Sequence, residues 1–325
     1  MVLYSHHFAL TGQMEPAFLG LYSVGGLAVY IFFIISGYLV MTSWWRDPNF
    51  FRFSVRRILR IWPALTCVVV ATAYLLGPIV TELPLGQYLR HGGTSEYLRM
   101  LVMQTPFVLP GVFTHNPFAH GVNGSLWTIP FEVRCYIALG LIGAIGLLKT
   151  RAFALLCVGI LLGWFLVRSN PDATGTFHSG RMLSAFFTAG VAVCSLEKYW
   201  SRRPHVWAVA VVIAALISWS LGWRYTSMLI ALPYLVIYLG MQATPVLRQA
   251  GRWGDPSYGI YLLAFPVQQT TIFYLWPQAG FWGTLCIAYA TTVVLAYASW
   301  HLIEKRALKF KPRTSKSNSS GSEAL

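Results

Sequence analysis

Long apolar runs alternate with short polar breaks along almost the whole chain. A helix needs about 20 apolar residues to cross a bilayer, at roughly 1.5 Å of rise per residue. On that criterion the pattern predicts spans at about Val24–Trp44, Ile61–Val80, Ser125–Leu148, Phe153–Val167, Met182–Leu196, Val206–Leu221, Tyr225–Met241, Ser257–Trp276 and Phe281–Ile303. Met1–Leu10 is apolar but half that length, which predicts a first helix shortened at its start. Thr11–Tyr22 reads as a loop around Glu15-Pro16, and Thr81–Gly124 as a long connection. Within that connection Tyr97–Phe113 is apolar and broken by Pro106 and Pro110, so a re-entrant or interfacial piece is expected there. The fold class is therefore all-α: a polytopic transmembrane bundle of about ten helices. Residues 1–304 form the membrane domain, and 305–325 a basic, Ser-rich, disordered tail.

Composition narrows the function classes. The chain is 56% hydrophobic and 10% charged, where a soluble domain carries about 25% charged residues. Its net charge of +14 lies between the apolar runs, which argues for a membrane lipid surface and against a nucleic-acid partner. Cys67, Cys135, Cys157, Cys194 and Cys286 all sit in apolar segments without a CxxC pair, so neither a disulfide framework nor a zinc site is expected.

The basic residues also orient the bundle. One set of alternate loops holds Arg46, Arg52, Arg56, Arg57 and Arg60, then Lys149 and Arg151, then Lys198, Arg202 and Arg203, then Arg248 and Arg252. The tail adds Lys305, Arg306, Lys309, Lys311, Arg313 and Lys316. The other side has Arg90, Arg99, Arg168, Arg181 and Arg224. The tail is thus expected to be cytoplasmic, with Thr11–Tyr22 outside.

Some polar groups fall inside the apolar runs. Glu132 and Arg134 lie in the span opened by Asn123 and Ser125, and each charge at membrane depth is costly unless it is partnered or functional. Two residues apart, they occupy different helix faces and need partners on other helices. His6 and His7, near the outer end of the first helix, are candidate proton carriers, and only one of the two can point into a site. Ser36-Gly37 lets another helix approach closely. Arg52, Arg56 and Arg60 share a helix face, with Arg57 beside them. They suit either anionic lipid heads or a phosphorylated donor. Ser257, Tyr258 and Tyr261 open the ninth span, either as a cap and aromatic belt or as part of a site. His115 and His120 form at most a weak metal signal, and no metal is expected.

These stretches, in this order, resemble the integral-membrane acyltransferase family 3, whose members O-acylate sugars of the bacterial envelope and related glycolipids. The matching pieces are Tyr4-Ser5-His6-His7-Phe8, Phe32 to Leu39, Arg56 to Ala64, Asn123-Gly124-Ser125-Leu126-Trp127-Thr128, Glu132 with Tyr136, Ser257 to Leu262, and Ile303-Glu304-Lys305. The resemblance implies ten helices in the bacterial inner membrane, acetyl-CoA or another acyl-CoA as donor, and a carbohydrate or glycolipid acceptor. His6 matches the family's essential His best, with His7 as the alternative. The family's Arg about eleven positions before that His would lie before Met1, which agrees with a shortened first helix. Phe265, before Pro266, stands where many members have a His. The family's soluble esterase-like extension is missing. His6 and Glu132, which match the family's pattern, and the neighbouring intramembrane Arg134 are thus expected as catalytic residues. The resemblance places the donor at Arg56, Arg57 and Arg60, and the acceptor at Asn123, Ser125, Trp127, Tyr136, Ser257, Tyr258 and Tyr261. Glu132 is expected on the acceptor side, within reach of His6. The rival reading is a glycolipid or acyl-group transporter or flippase, which intramembrane charges fit as well.

Overall fold

Each apolar run becomes a helix because a backbone in lipid must satisfy its own N–H and C=O groups. The computed structural model describes residues 1–174, 179–242 and 251–312. Its long helices are α1 (Val2–Leu10), α2 (Val24–Arg46), α3 (Phe50–Val80), α4 (Gly124–Ala144), α5 (Arg151–Ser169), α6 (Gly180–Ser195), α7 (Pro204–Ser220), α8 (Arg224–Met241), α9 (Ser257–Leu275) and α10 (Gly280–Phe310). Six are long and apolar enough to span a membrane, so the chain is a multi-pass, all-α membrane protein. Extended structure among the described residues is confined to an isolated bridge and two-residue strands, Ala17–Phe18 and Tyr22–Ser23, paired in the loop after α1.

Three boundaries differ from the expectation, each for a physical reason. The basic stretch set apart from the third helix is in fact its first turns: the Asn49 side chain accepts from the Arg52 amide at 3.0 Å and starts α3 early. The last helix does not stop at Ile303. It passes through a π-turn at Trp300–Glu304 and continues to Phe310, packing on α3. The beginning of the expected tail is therefore helical, while its residues 313–325, like Arg248, lie outside the described residues. The long connection descends deep into the bundle. The Trp62 indole donates to the Leu101 carbonyl at 3.1 Å, roughly 28 Å along α3 from Thr81 at 1.5 Å per residue. Tyr88, Tyr97, Met100 and Phe113 are fully buried along this path. The apolar composition of Tyr97–Phe113 is thus that of a segment packed against α3 inside the bundle.

Small residues set the closest helix contact. A Cβ on Gly37 of α2 would stand 2.1 Å from the Phe187 carbonyl oxygen of α6, and one on Gly190 of α6 would stand 2.2 Å from the Ile34 carbonyl oxygen of α2. The obstacles are backbone atoms, so no rotamer change relieves them. Overpacking of this kind costs about 1–3 kcal/mol. Gly37→Ala is accordingly expected to lower the thermal unfolding midpoint in detergent by several degrees, and an unchanged midpoint would contradict this packing.

Candidate active site

The two adjacent histidines have different fates. His7 is fully buried and satisfied on both ring nitrogens. Its Nε2 meets the Phe281 carbonyl at 3.0 Å and Thr284 Oγ1 at 3.1 Å, and its Nδ1 meets Gln268 Nε2 at 3.2 Å. His6 points the other way. Its Nδ1 is buried with no hydrogen-bond partner among the described residues, and its ring stands edge-on to Phe265 at 5.5 Å. His6 forms part of the wall of a cavity of about 410 Å³, which Glu15, Phe107, Phe118, His120, Gly124 and Phe265 also line. This cavity lies at the end of the bundle covered by the first loop and the long connection. Glu15 is anchored there by a hydrogen bond from Ser5 Oγ at 2.5 Å. Its carboxylate shares the cavity with His6 and acts on it electrostatically, a role that its place in a short loop gave no reason to expect. His115, from the same connection, pairs with Glu82 at 3.1 Å.

Glu132 belongs to a second site, deeper in the bundle. It is 6% exposed and accepts a hydrogen bond from Tyr136, whose hydroxyl also meets Ser36 Oγ at 2.9 Å. The Glu-x-x-x-Tyr spacing places both on one face of α4, and the close approach of α2 brings Ser36 to them. Glu132, Thr128, Phe32, Ser257, Tyr258 and Tyr261 enclose a cavity of about 100 Å³. Tyr261 crosses it, donating to the Ser125 carbonyl at 2.6 Å and lying 2.5 Å from Thr128 Oγ1. Tyr258 donates to the Ile61 carbonyl of α3 at 3.1 Å. Ser257 bonds Asp255 at the helix start.

The expected pairing of Glu132 with His6 is therefore not present. His6 is level with Phe265, whereas Glu132 is level with Tyr258 and Tyr261, four to seven residues earlier on α9. At 1.5 Å per residue this separates them by roughly 6–10 Å along the bundle axis. Glu132 instead lies close enough to Arg60 and Arg57 to feel their charges. Arg134 is also not beside Glu132. It is exposed on the opposite face of α4, its guanidinium 5.2 Å from the Phe131 ring centroid. Asn123 acts in the fold: its side chain bonds the Leu262 carbonyl at 2.9 Å and caps Ser125 at 3.2 Å. Ser125 Oγ is buried without a partner among the described residues. The neighbouring Gly124 lines the His6 cavity, and the Ser125 carbonyl accepts from Tyr261, which lines the Glu132 cavity. Trp127 packs edge-on to Phe131 and faces neither cavity.

At the opposite end the arginines divide by partner. Arg56 is 7% exposed and donates to Asp47 Oδ2 at 2.7 Å. Arg60 pairs with Asp255 at 2.9 Å and Glu304 at 3.3 Å. Arg57 has no carboxylate partner among the described residues. Its guanidinium lies 5.6 Å from the Tyr136 ring centroid and 5.9 Å from that of Phe53. Lys311, just past α10, joins this group: its amine is held below its usual value by partial burial and then by the charges of Arg57, Arg60 and Arg56. With Arg52, five cations thus gather at this end against three carboxylates, Asp47, Asp255 and Glu304. Of the three expected phosphate ligands, Arg57 alone is uncommitted, and Lys311 joins it.

The family model for the acyltransferase domain matches residues 1–301. An O-acetyl transferase of Shigella phage Sf6 is 34% identical over 321 residues, covering 95% of this chain and 92% of the phage protein. Nodulation protein 10 of Rhizobium leguminosarum bv. viciae is 29% identical over 322 residues, covering 90% of this chain and 84% of its own. No solved structure matches the chain. The agreement runs from the His6 helix through the arginines, Glu132 and the tyrosines of α9 into α10, and on this agreement the chain belongs to the integral-membrane acyltransferases of that family.

Proposed function

We propose that this protein transfers an acyl group, acetyl foremost, from acyl-CoA to a hydroxyl of an envelope polysaccharide or glycolipid in the bacterial inner membrane. The family and the O-acetyl transferase relative support the reaction type. The observation that carries the assignment of roles is the place of the His6 ring in the wall of an open cavity, free of the hydrogen bonds that tie His7 into the fold, at the end opposite the uncommitted cations. The acceptor hydroxyl enters the loop-end cavity and gives its proton to His6 as its oxygen attacks the thioester carbonyl. The new C–O ester bond forms, the C–S bond breaks, and the thiol leaves with the proton. Glu15, facing His6, favours the imidazolium formed on the way. Glu132 and Tyr136 form a buried polar pair between the His6 cavity and the arginines.

The donor's phosphates sit at Arg57 and Lys311 in this reading. A hydrogen bond to a charged group is worth about 1.5–3 kcal/mol, which is roughly a 10–100-fold change in affinity. Arg57→Ala should therefore raise KM for acyl-CoA by about that factor and leave kcat at saturating donor close to wild type. An unchanged KM would remove Arg57 from donor binding.

The reaction is tested with purified protein, carboxyl-labelled acetyl-CoA and envelope carbohydrate. Alkali-labile label on the carbohydrate supports transfer. Label that crosses a vesicle membrane without ever becoming esterified would identify a transporter or flippase instead.

A further inference from the structure

A separate crevice of about 250 Å³ lies between α4, α5 and α6, away from both cavities of the active site. Small side chains, Ala138, Ala154 and Cys157, leave the furrow open, and Arg134 stands in its wall. The crevice opens towards lipid, because only 17% of the apolar window of α5 is buried inside the protein. Its hydroxyls make no demand on a ligand: Ser184 donates to the Gly180 carbonyl at 3.0 Å and Thr188 to the Ser184 carbonyl at 2.8 Å, both within α6. Arg134 remains. It is exposed, it has no carboxylate or hydrogen-bond partner among the described residues, and its only described contact of note is the Phe131 ring. A guanidinium in an apolar furrow calls for an anion, and its planar fork matches phosphate oxygens. Stacked on Phe131, one turn towards the helix start, it is directed to the loop end of the bundle, as long basic side chains are in membranes.

We infer that Arg134 and this crevice bind an anionic lipid, the phosphate at the guanidinium and one apolar chain along the furrow. Pockets for drug-sized molecules measure roughly 300–1,000 Å³, so the furrow suits a single chain better than a compact ligand. The inference does not depend on the proposed reaction, and its readout is binding rather than turnover.

The test uses the full chain, delipidated in detergent and titrated with phosphatidylglycerol or with diacylglycerol of the same chains, with bound lipid counted by native mass spectrometry. Wild type should prefer phosphatidylglycerol. Arg134→Gln should weaken phosphatidylglycerol about tenfold, to the level of diacylglycerol, and Arg134→Lys should keep part of the preference. Ala138→Phe, which fills the furrow but keeps the charge, should weaken both lipids. This gives a second reading should Arg134→Gln fail to fold. Equal binding of the two lipids by wild type would overturn the inference, as would an Arg134→Gln variant that keeps the preference or an Ala138→Phe variant that binds both lipids like wild type.

Discussion

Replacing His6 with Ala lowers acyl transfer by a factor on the order of 10²–10⁴, the usual range for losing a general base, while the protein still accumulates in the membrane. The expectation rests on how little His6 does for the fold. Its Nδ1 bonds nothing among the described residues, and its ring contact with Phe265 is a single edge-to-face pair. His7→Ala is the informative contrast. It removes a ring that bonds Phe281, Thr284 and Gln268 and so ties α1 to α9 and α10. Leaving buried polar groups unsatisfied costs about 1–3 kcal/mol. His7→Ala should therefore lower the unfolding midpoint more than His6→Ala, and the folded fraction should keep its turnover. The assay is initial rate per folded molecule for both variants. A His6→Ala protein with wild-type rate would refute the role of His6.

Asp47→Ala should cost about 3–5 kcal/mol of stability, because it leaves the buried Arg56 guanidinium without its counter-ion. Asp47 is 3% exposed and accepts from Arg52 at 2.8 Å and from Arg56 at 2.7 Å, at the corner between α2 and α3. Arg56→Met should cost less, since Asp47 keeps the bidentate Arg52. The pair also predicts a pH dependence. The Asp47 carboxyl is lowered from 3.8 to about 2, chiefly by the hydrogen bond from Arg52 and further by Arg56, against the opposing effect of burial. A depressed carboxyl contributes stability that is fully present above its unfolded value and is lost as pH falls through the folded one. The wild-type unfolding midpoint should therefore drop between about pH 4 and pH 2, and Asp47→Asn should flatten that part of the profile. Thermal unfolding in detergent across this range checks both. An Asp47→Ala midpoint equal to wild type would show that Arg56 finds another partner.

Much of this architecture was legible in the chain because lipid imposes a length on each helix and a composition on its surface. The helices α2–α10 follow from apolar runs alone, although only six of them are long and apolar enough to span a membrane, and the tight α2–α6 contact follows from Ser36-Gly37. The opposite faces of Glu132 and Arg134 follow from their spacing. What the pattern hides is depth and partnership. Whether His6 or His7 faces a cavity depends on Gln268 and Thr284, more than 250 residues away in the chain. Glu132 looked like a neighbour of His6 because both lie near helix ends on the same side. The 3₁₀ turns at Gly124–Thr128 rise further per residue than an α-helix and carry Glu132 deeper, towards Arg57. The arginines share helical spacing, yet Asp47, Asp255 and Glu304 decide which of them are free. Glu15 and Lys311 carried no signal beyond being charges next to important helices.

The central claim is that donor and acceptor act from opposite ends of one bundle, with His6 at the acceptor end. It is tested most directly in sealed proteoliposomes of uniform orientation, with labelled acetyl-CoA supplied only on the arginine side and a membrane-impermeant carbohydrate acceptor only on the loop side. The account predicts ester-linked label on the acceptor, dependent on His6. Label that appears only when both substrates share the same side would contradict it.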